Sequence, residues 1–161
     1  MPWRTEIRDS DREAIKTLVA DTGFFTVSEQ AIAIELVDET LTLGTNESGY
    51  AFVLADSDSN PPELLGYSCY GPIPDTASDF DLYWIVVAPK HQGNGIGRDL
   101  MYETEVRAHA EGATQLFIET SGRHQYAATR VFYERLGYRL TAKMKDFYAP
   151  GDAKIIYKKN L

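Results

Sequence analysis

Residues 87–101 read VAPKHQGNGIGRDLM. Three glycines alternate, at Gly93, Gly95 and Gly97, and Arg98 follows where a helix begins. Glycine is costly in conformational entropy, and a cation in the first helical turn opposes the helix dipole. Both features need a reason. Before the loop, FDLYWIVVA (Phe80–Ala88) reads as a strand whose second half is apolar throughout, as in a strand buried on both faces. After it, a helix runs to about Glu111 and ends at Gly112, and TQLFIET (Thr114–Thr120) reads as another buried strand. The unit from Phe80 to Thr120 is therefore a strand–loop–helix–strand crossover between parallel strands. Ligands of such sheets gather at the carboxyl ends of the strands. A glycine loop feeding a helix N-terminus presents free N–H groups and roughly half a positive charge, a good seat for an anion. The spacing is not G-x-G-x-x-G, so a dinucleotide fingerprint is absent, and no G-x-x-x-x-G-K-[ST] is present.

Outward from this unit the chain alternates further elements. WRTEIR (Trp3–Arg8) reads as a first strand, and Ser10-Asp-Arg-Glu13 has capping-box spacing for a helix to about Asp21. SEQAIAIELVDETL begins at Ser28, a second N-cap candidate; Ile32, Leu36, Val37 and Leu41 share one face, and Gly44 is the expected stop. Tyr50–Asp56 and Leu64–Gly71 form a hairpin around the breakers Asn60-Pro61-Pro62. YAATRVFYERLG (Tyr126–Gly137) is a short helix, and YRLTAKMKDF and KIIYKK close the chain as strands. The order β α α β β β α β α β β, without repeats or a long linker, predicts one α/β domain over residues 1–161 on a mixed, mostly antiparallel seven-stranded sheet.

Composition narrows the class. The net charge of −8 lacks the basic face of a nucleic-acid binder, and it suits a cationic substrate as well as solubility. Cys69 is the single cysteine, so neither an internal disulfide framework nor a Cys-rich zinc site is expected, and no metal is called for. Met1–Ser10 has no apolar core, and the apolar run Trp84–Ala88 is too short to span a bilayer. The expectation is a cytoplasmic protein without nucleic-acid or membrane partners. A second copy of the chain is a candidate partner, with the PIPDTAS loop (Pro72–Ser78) and the C-terminal strands as surfaces.

Gln92-x-x-Gly95-x-Gly97 resembles the Q/R-x-x-G-x-G/A signature of the GNAT family of N-acetyltransferases. The resemblance extends to Val87-Ala88-Pro89 before the loop, to VFYERLGYR (Val131–Arg139), and to the element order of nearly the whole chain. The ending KDFYAPGDAKIIYKK is similar to the subgroup of ribosomal-protein alanine acetyltransferases. It implies a GNAT fold and acetyl-CoA as cosubstrate. Gln92, Gly93, Asn94, Gly95, Ile96, Gly97 and Arg98 would bind its pyrophosphate, which accounts for the cation in the helical turn. Lys90 and Arg98 are the loop's charged residues, both positive. By the same resemblance the strands on either side of the crossover splay, and backbone groups of Ile85, Val86 and Val87 pair with the pantetheine arm and the thioester oxygen. The family often carries Asn and Ala where this chain has Tyr126 and Thr129.

The implied reaction is attack of a neutral primary amine, on a small molecule or a peptide N-terminus, on the acetyl thioester. It needs aligned reactants, an oxyanion donor, a base and an acid. Tyr133, at the family's tyrosine position, is the candidate general acid. Glu119, in LFIET, is the candidate base, with desolvation in an apolar strand expected to raise its basicity. Asp81 and Tyr83 are alternatives whose aim depends on a bulge. Phe24 and Phe25 either line the acceptor site or close the core. His91, His109 and His124 read as solvated or flanking residues. The competing readings are an acyl-CoA-binding regulatory module without turnover and a transferase of longer acyl groups.

Overall fold

The computed structural model describes residues 3–161; Met1 and Pro2, the start of the stretch weighed above as a leader, lie outside the described residues. Alternating apolar residues decide how its layers assemble. In the strand Ala51–Asp56 (β2), Phe52 and Leu54 point to one side and Ala51 and Val53 to the other, and all four are buried. Helices therefore cover both faces. Asp11–Asp21 (α1) and Val27–Ser48 (α2) lay Ile15, Leu18, Val19, Ala33 and Val37 over Phe52, Leu54 and Tyr67. Ile96–Ala110 (α3) and Ala127–Arg135 (α4) lay Leu100, Met101, Ala108 and Tyr133 over Val53, Leu116 and Ile118.

The remaining strands are Trp3–Arg4 (β1), Leu64–Pro72 (β3), Asp79–Val87 (β4), Gln115–Ser121 (β5), Arg139–Ala149 (β6) and Asp152–Asn160 (β7). They form one seven-stranded sheet in the order β1-β2-β3-β4-β5-β7-β6. Neighbours run antiparallel except β4 and β5, the parallel pair joined through α3.

Several local details depart from the sequence reading. Among the described residues the first strand is Trp3–Arg4, because the chain turns away from β2 after Arg4. Ser10 makes no capping bond; its backbone is already helical, and a capping side chain needs an extended one. Asp11 anchors that end instead, accepting from the Arg8 amide at 2.7 Å and from Arg4 at 2.7 Å. The second helix is capped by Thr26, not Ser28. Thr26 Oγ1 accepts from the Glu29 amide at 3.2 Å and the Glu29 carboxylate accepts from the Thr26 amide at 3.0 Å. Of the expected face, Val37 is buried and Leu36 and Leu41 pack against the core, while Ile32 is exposed and Ala33 and Thr40 are buried beside them. Gly44 kinks the helix (φ 81°) and Gly49 ends it. The strand β5 alternates rather than burying both faces: Leu116, Ile118 and Thr120 are buried and Glu119 is exposed.

Candidate active site

The cleft starts where a strand pair stops. β4 and β5 pair from Asp79↔Gln115 to Leu82↔Ile118, and no further. At that point β4 also carries an extra residue: Cys69 of β3 lies opposite Trp84 and Tyr70 opposite Leu82, which leaves Tyr83 bulged between them. A bulge bends its strand and re-aims the side chain. Beyond it, Trp84–Val87 keep their partners on β3, and their β5 side is free of ladder bonds. The second half of β4 is apolar because it lines this opening, not because it is buried on both faces: Trp84, Ile85 and Val87 are only half-buried. The opening is a cleft of about 1010 Å³.

The glycine loop forms one mouth. Gly93 (φ 82°) and Gly95 (φ 83°) hold left-handed backbone that a side chain resists. Gly97 is different: it sits in the first turn of α3, where a Cβ would lie 3.5 Å from the Phe132 ring. Gln92 reaches back from the loop, donating from Nε2 to the Val87 carbonyl at 3.0 Å. Arg98 folds over Gly95 and pairs with Asp99 at 3.0 Å. Lys90 is turned aside by an ion pair to Glu63. Ile85, Val86, Val87, Gln92, Gly93, Gly95, Gly97 and Arg98 all line the cleft. Asn94 and Ile96 do not. Ile96 buries its side chain with Ala55 and Leu65, which leaves only its backbone for a loop ligand.

Tyr133 lines the cleft from α4 and is 6% exposed. Rings of Phe132, Tyr138 and Tyr157 surround it. Burial pushes its phenol well above the usual range, so it holds its proton. Glu119 also lines the cleft, but the apolar burial expected for it does not occur: its side chain is 51% exposed and pairs with Lys154 at 2.7 Å. The more desolvated carboxyl is the half-buried Asp81, whose pKa partial burial and the nearby Glu119 charge raise to about 6. Asp81 is not among the residues at the cleft surface, whereas the bulge turns Tyr83 toward it.

Sequence reasoning left the far wall open between two readings and did not identify the roof. Phe24 and Phe25, weighed both as acceptor-site lining and as core, line the cleft, and Phe25 also packs against the core. Phe25 stacks edge-on against Trp84 at 4.8 Å and Phe24 against Tyr126 at 4.7 Å. Tyr126, where the family often has Asn, is thus a strut of the roof. Tyr148 and Asp152 come in from the β6–β7 hairpin, and Arg123 pairs with Asp152 at 3.3 Å. Of the histidines, His91 is half-buried beside the loop, and His109 and His124 are exposed. Among the described residues no group of three His, Cys, Asp or Glu could hold a metal, and no helix is long and apolar enough to cross a membrane.

A family model described as the acetyltransferase (GNAT) domain matches residues 47–140. A Desulfovibrio desulfuricans protein whose crystal structure is assigned to the GNAT family is 45% identical. It superposes with a TM-score of 0.94, over 99% of this chain and 98% of that one. The ribosomal-protein-alanine N-acetyltransferase of Brucella melitensis (20% identity, TM-score 0.78, all of both chains) has the same fold. So does an aminoglycoside 6'-N-acetyltransferase crystallised with coenzyme A (18%, 0.76, 99% and 97%). No curated protein matches significantly. The chain belongs to the GNAT family of acetyltransferases. It is an N-acetyltransferase that uses acetyl-CoA.

Proposed function

We propose that residues 1–161 act as one domain that moves the acetyl group of acetyl-CoA to a primary amine, on a small molecule or a peptide N-terminus, by direct attack. The observation that carries this is the parting of β4 and β5 after Leu82 and Ile118. It opens one cleft that runs from the glycine loop to Tyr133 and Glu119.

The residues present fit the cosubstrate. Left-handed Gly93 and Gly95 bare the backbone at the N-terminus of α3, where a diphosphate is favoured, and Arg98 lies over them. A fold relative was crystallised with coenzyme A. The free edge of β4 at Ile85–Val87 offers backbone groups for the pantetheine arm and an N–H for negative charge on the thioester oxygen. Bound acetyl-CoA supplies an activated acyl carbon and a thiolate leaving group. The chain's own part is to align and to move protons. Glu119 takes the proton of the acceptor ammonium. Tyr133, kept protonated by burial, donates to the leaving sulfur. The acceptor wall carries Glu29, Glu119 and Asp152; Arg123 pairs with Asp152 and Lys154 with Glu119, which leaves one carboxylate in excess. That balance attracts a cation.

Calorimetric titration with acetyl-CoA and CoA, followed by thiol release with added amines, tests the reading. Binding by wild type that is lost in folded Gly95→Glu, with turnover of an amine, supports it. No binding overturns it, and binding without turnover of any amine identifies a regulatory acyl-CoA module instead.

A further inference from the structure

Lys154 is a primary ammonium placed beside the proposed base. It lies on β7 opposite Ser121 of β5. Its Nζ is 2.7 Å from Glu119 Oε1 and 4.6 Å from the centroid of the Phe147 ring. Its side chain is 23% exposed, against 51% for the carboxylate. The pair is therefore shielded on the Lys154 side and open on the cleft side.

The groups around this pair come from four strands. Asp81 on β4 feels both members, raised by Glu119 and lowered by Lys154. Tyr148 on β6 is pushed up to about 12 by burial and by the Glu119 charge. Asp152 on β7 accepts from the Ser121 hydroxyl of β5 and pairs with Arg123. The charges of Asp81 and Glu119, which act on each other, would by themselves hold an arriving ammonium in its charged, unreactive form. Lys154 pairs with Glu119 and its charge also offsets that of Asp81.

We propose that Lys154 is a positioning residue of the transfer, which holds the Glu119 carboxylate in place and drives the acceptor ammonium to give up its proton. This rests on the reading of Glu119 as the base. An ammonium hydrogen-bonded to that carboxylate lies about 4–6 Å from Nζ by ordinary bond lengths. A like charge at that distance disfavours the protonated amine. One N–H bond of the ammonium breaks, its electron pair stays on nitrogen, and the proton passes to a Glu119 oxygen and on to solvent. The free amine is the nucleophile.

The test is the pH dependence of kcat and KM for wild type, Lys154→Met, Lys154→Arg, Lys154→Gln and Glu119→Gln. The probe is 2-phenylethylamine, a primary amine whose ring matches the aromatic wall of Phe24, Phe25 and Trp84, with an alanine-starting peptide in parallel. In Lys154→Met the acid limb of kcat moves up by roughly one pH unit while the amine KM falls, because a like charge is gone. Lys154→Arg restores the limb. Lys154→Gln keeps a donor for Glu119 without the charge and reads the same limb should the methionine variant fail to fold. Profiles of both neutral variants superimposing on wild type, with Glu119→Gln inactive, overturn the role of Lys154 and leave the base standing. Wild-type kcat in Glu119→Gln overturns the base and this proposal together. Acetylation of neither probe by wild type overturns the primary-amine reading beneath both.

Discussion

Gln125 Nε2 donates to the carbonyl oxygen of Phe24 at 3.0 Å, across 101 positions of sequence. The bond ties the turn between α1 and α2 to the loop between β5 and α4, over the cleft. Phe24 and Tyr126 stack beside it. The roof is thus closed by one exposed hydrogen bond and one ring pair. Gln125→Ala is expected to raise KM for the amine by roughly two- to tenfold, the worth of one hydrogen bond, and to leave CoA affinity unchanged. Steady-state kinetics with calorimetry checks both parts.

The glycines of the loop differ in what they tolerate. Gly95 has a φ of 83°, and a Cβ there would meet the Arg98 guanidinium at 3.0 Å. Gly95→Ala should cost about 1 kcal/mol or more of stability and weaken CoA binding. Gly97 lies in ordinary helical backbone, and its nearest neighbour to a Cβ is 3.5 Å away. Gly97→Ala should leave stability nearly unchanged. Thermal melts of the two variants, with CoA titrations, separate backbone conformation from packing.

Tyr133 is nearly buried, yet it lines the cleft and its hydroxyl has no side-chain partner among the described residues. Removing that hydroxyl leaves no broken partner, so Tyr133→Phe should change stability by less than about 1 kcal/mol. As the proton donor to sulfur, the same change should lower kcat on the order of a hundredfold. A loss of stability without loss of kcat would make Tyr133 a packing residue.

Asp81 sets a pH dependence of stability. Its pKa is raised from 3.8 to about 6 in the folded chain, so folding binds its proton more tightly than unfolding does. The stability this adds is complete below 3.8 and is lost as pH rises through about 6. At pH 7 the half-buried charge is a liability, and Asp81→Asn should be more stable than wild type by about 1 kcal/mol after allowance for solvent screening. The advantage should vanish near pH 4. Denaturant unfolding at the two pH values checks the sign.

Arg4 is 14% exposed and joins Asp11 at 2.7 Å to Asp56 at 2.8 Å, fastening β1 to α1 and β2. Both carboxylates hold the guanidinium charged, above its usual range. Arg4→Met leaves the buried Asp11 and the half-buried Asp56 without their shared cation. The expected loss is about 3–5 kcal/mol, read from urea unfolding. Arg4→Met with Asp11→Asn should recover part of it.

How far such a chain can be read without coordinates depends on the range of the interactions. The glycine loop, the crossover around it, the element order and the place of Tyr133 on a short helix were legible, because turn chemistry and side-chain period act over a few residues. Period shows which side of an element is apolar, but not what that side meets. The apolar second half of β4 looked like doubly buried core; it lines a cleft because β5 stops pairing at Ile118. The bulge at Tyr83 is visible only against β3. Glu119 looked desolvated by its apolar neighbours in sequence, and it is instead exposed and paired with Lys154 from the far end of the chain. Thr26 and Ser28 offer similar hydroxyls, and only the entry angle of α2 selects Thr26. In each case the deciding contact joins residues that local pattern cannot bring together: strand register and loop packing choose the neighbour, and the neighbour sets burial, charge and aim.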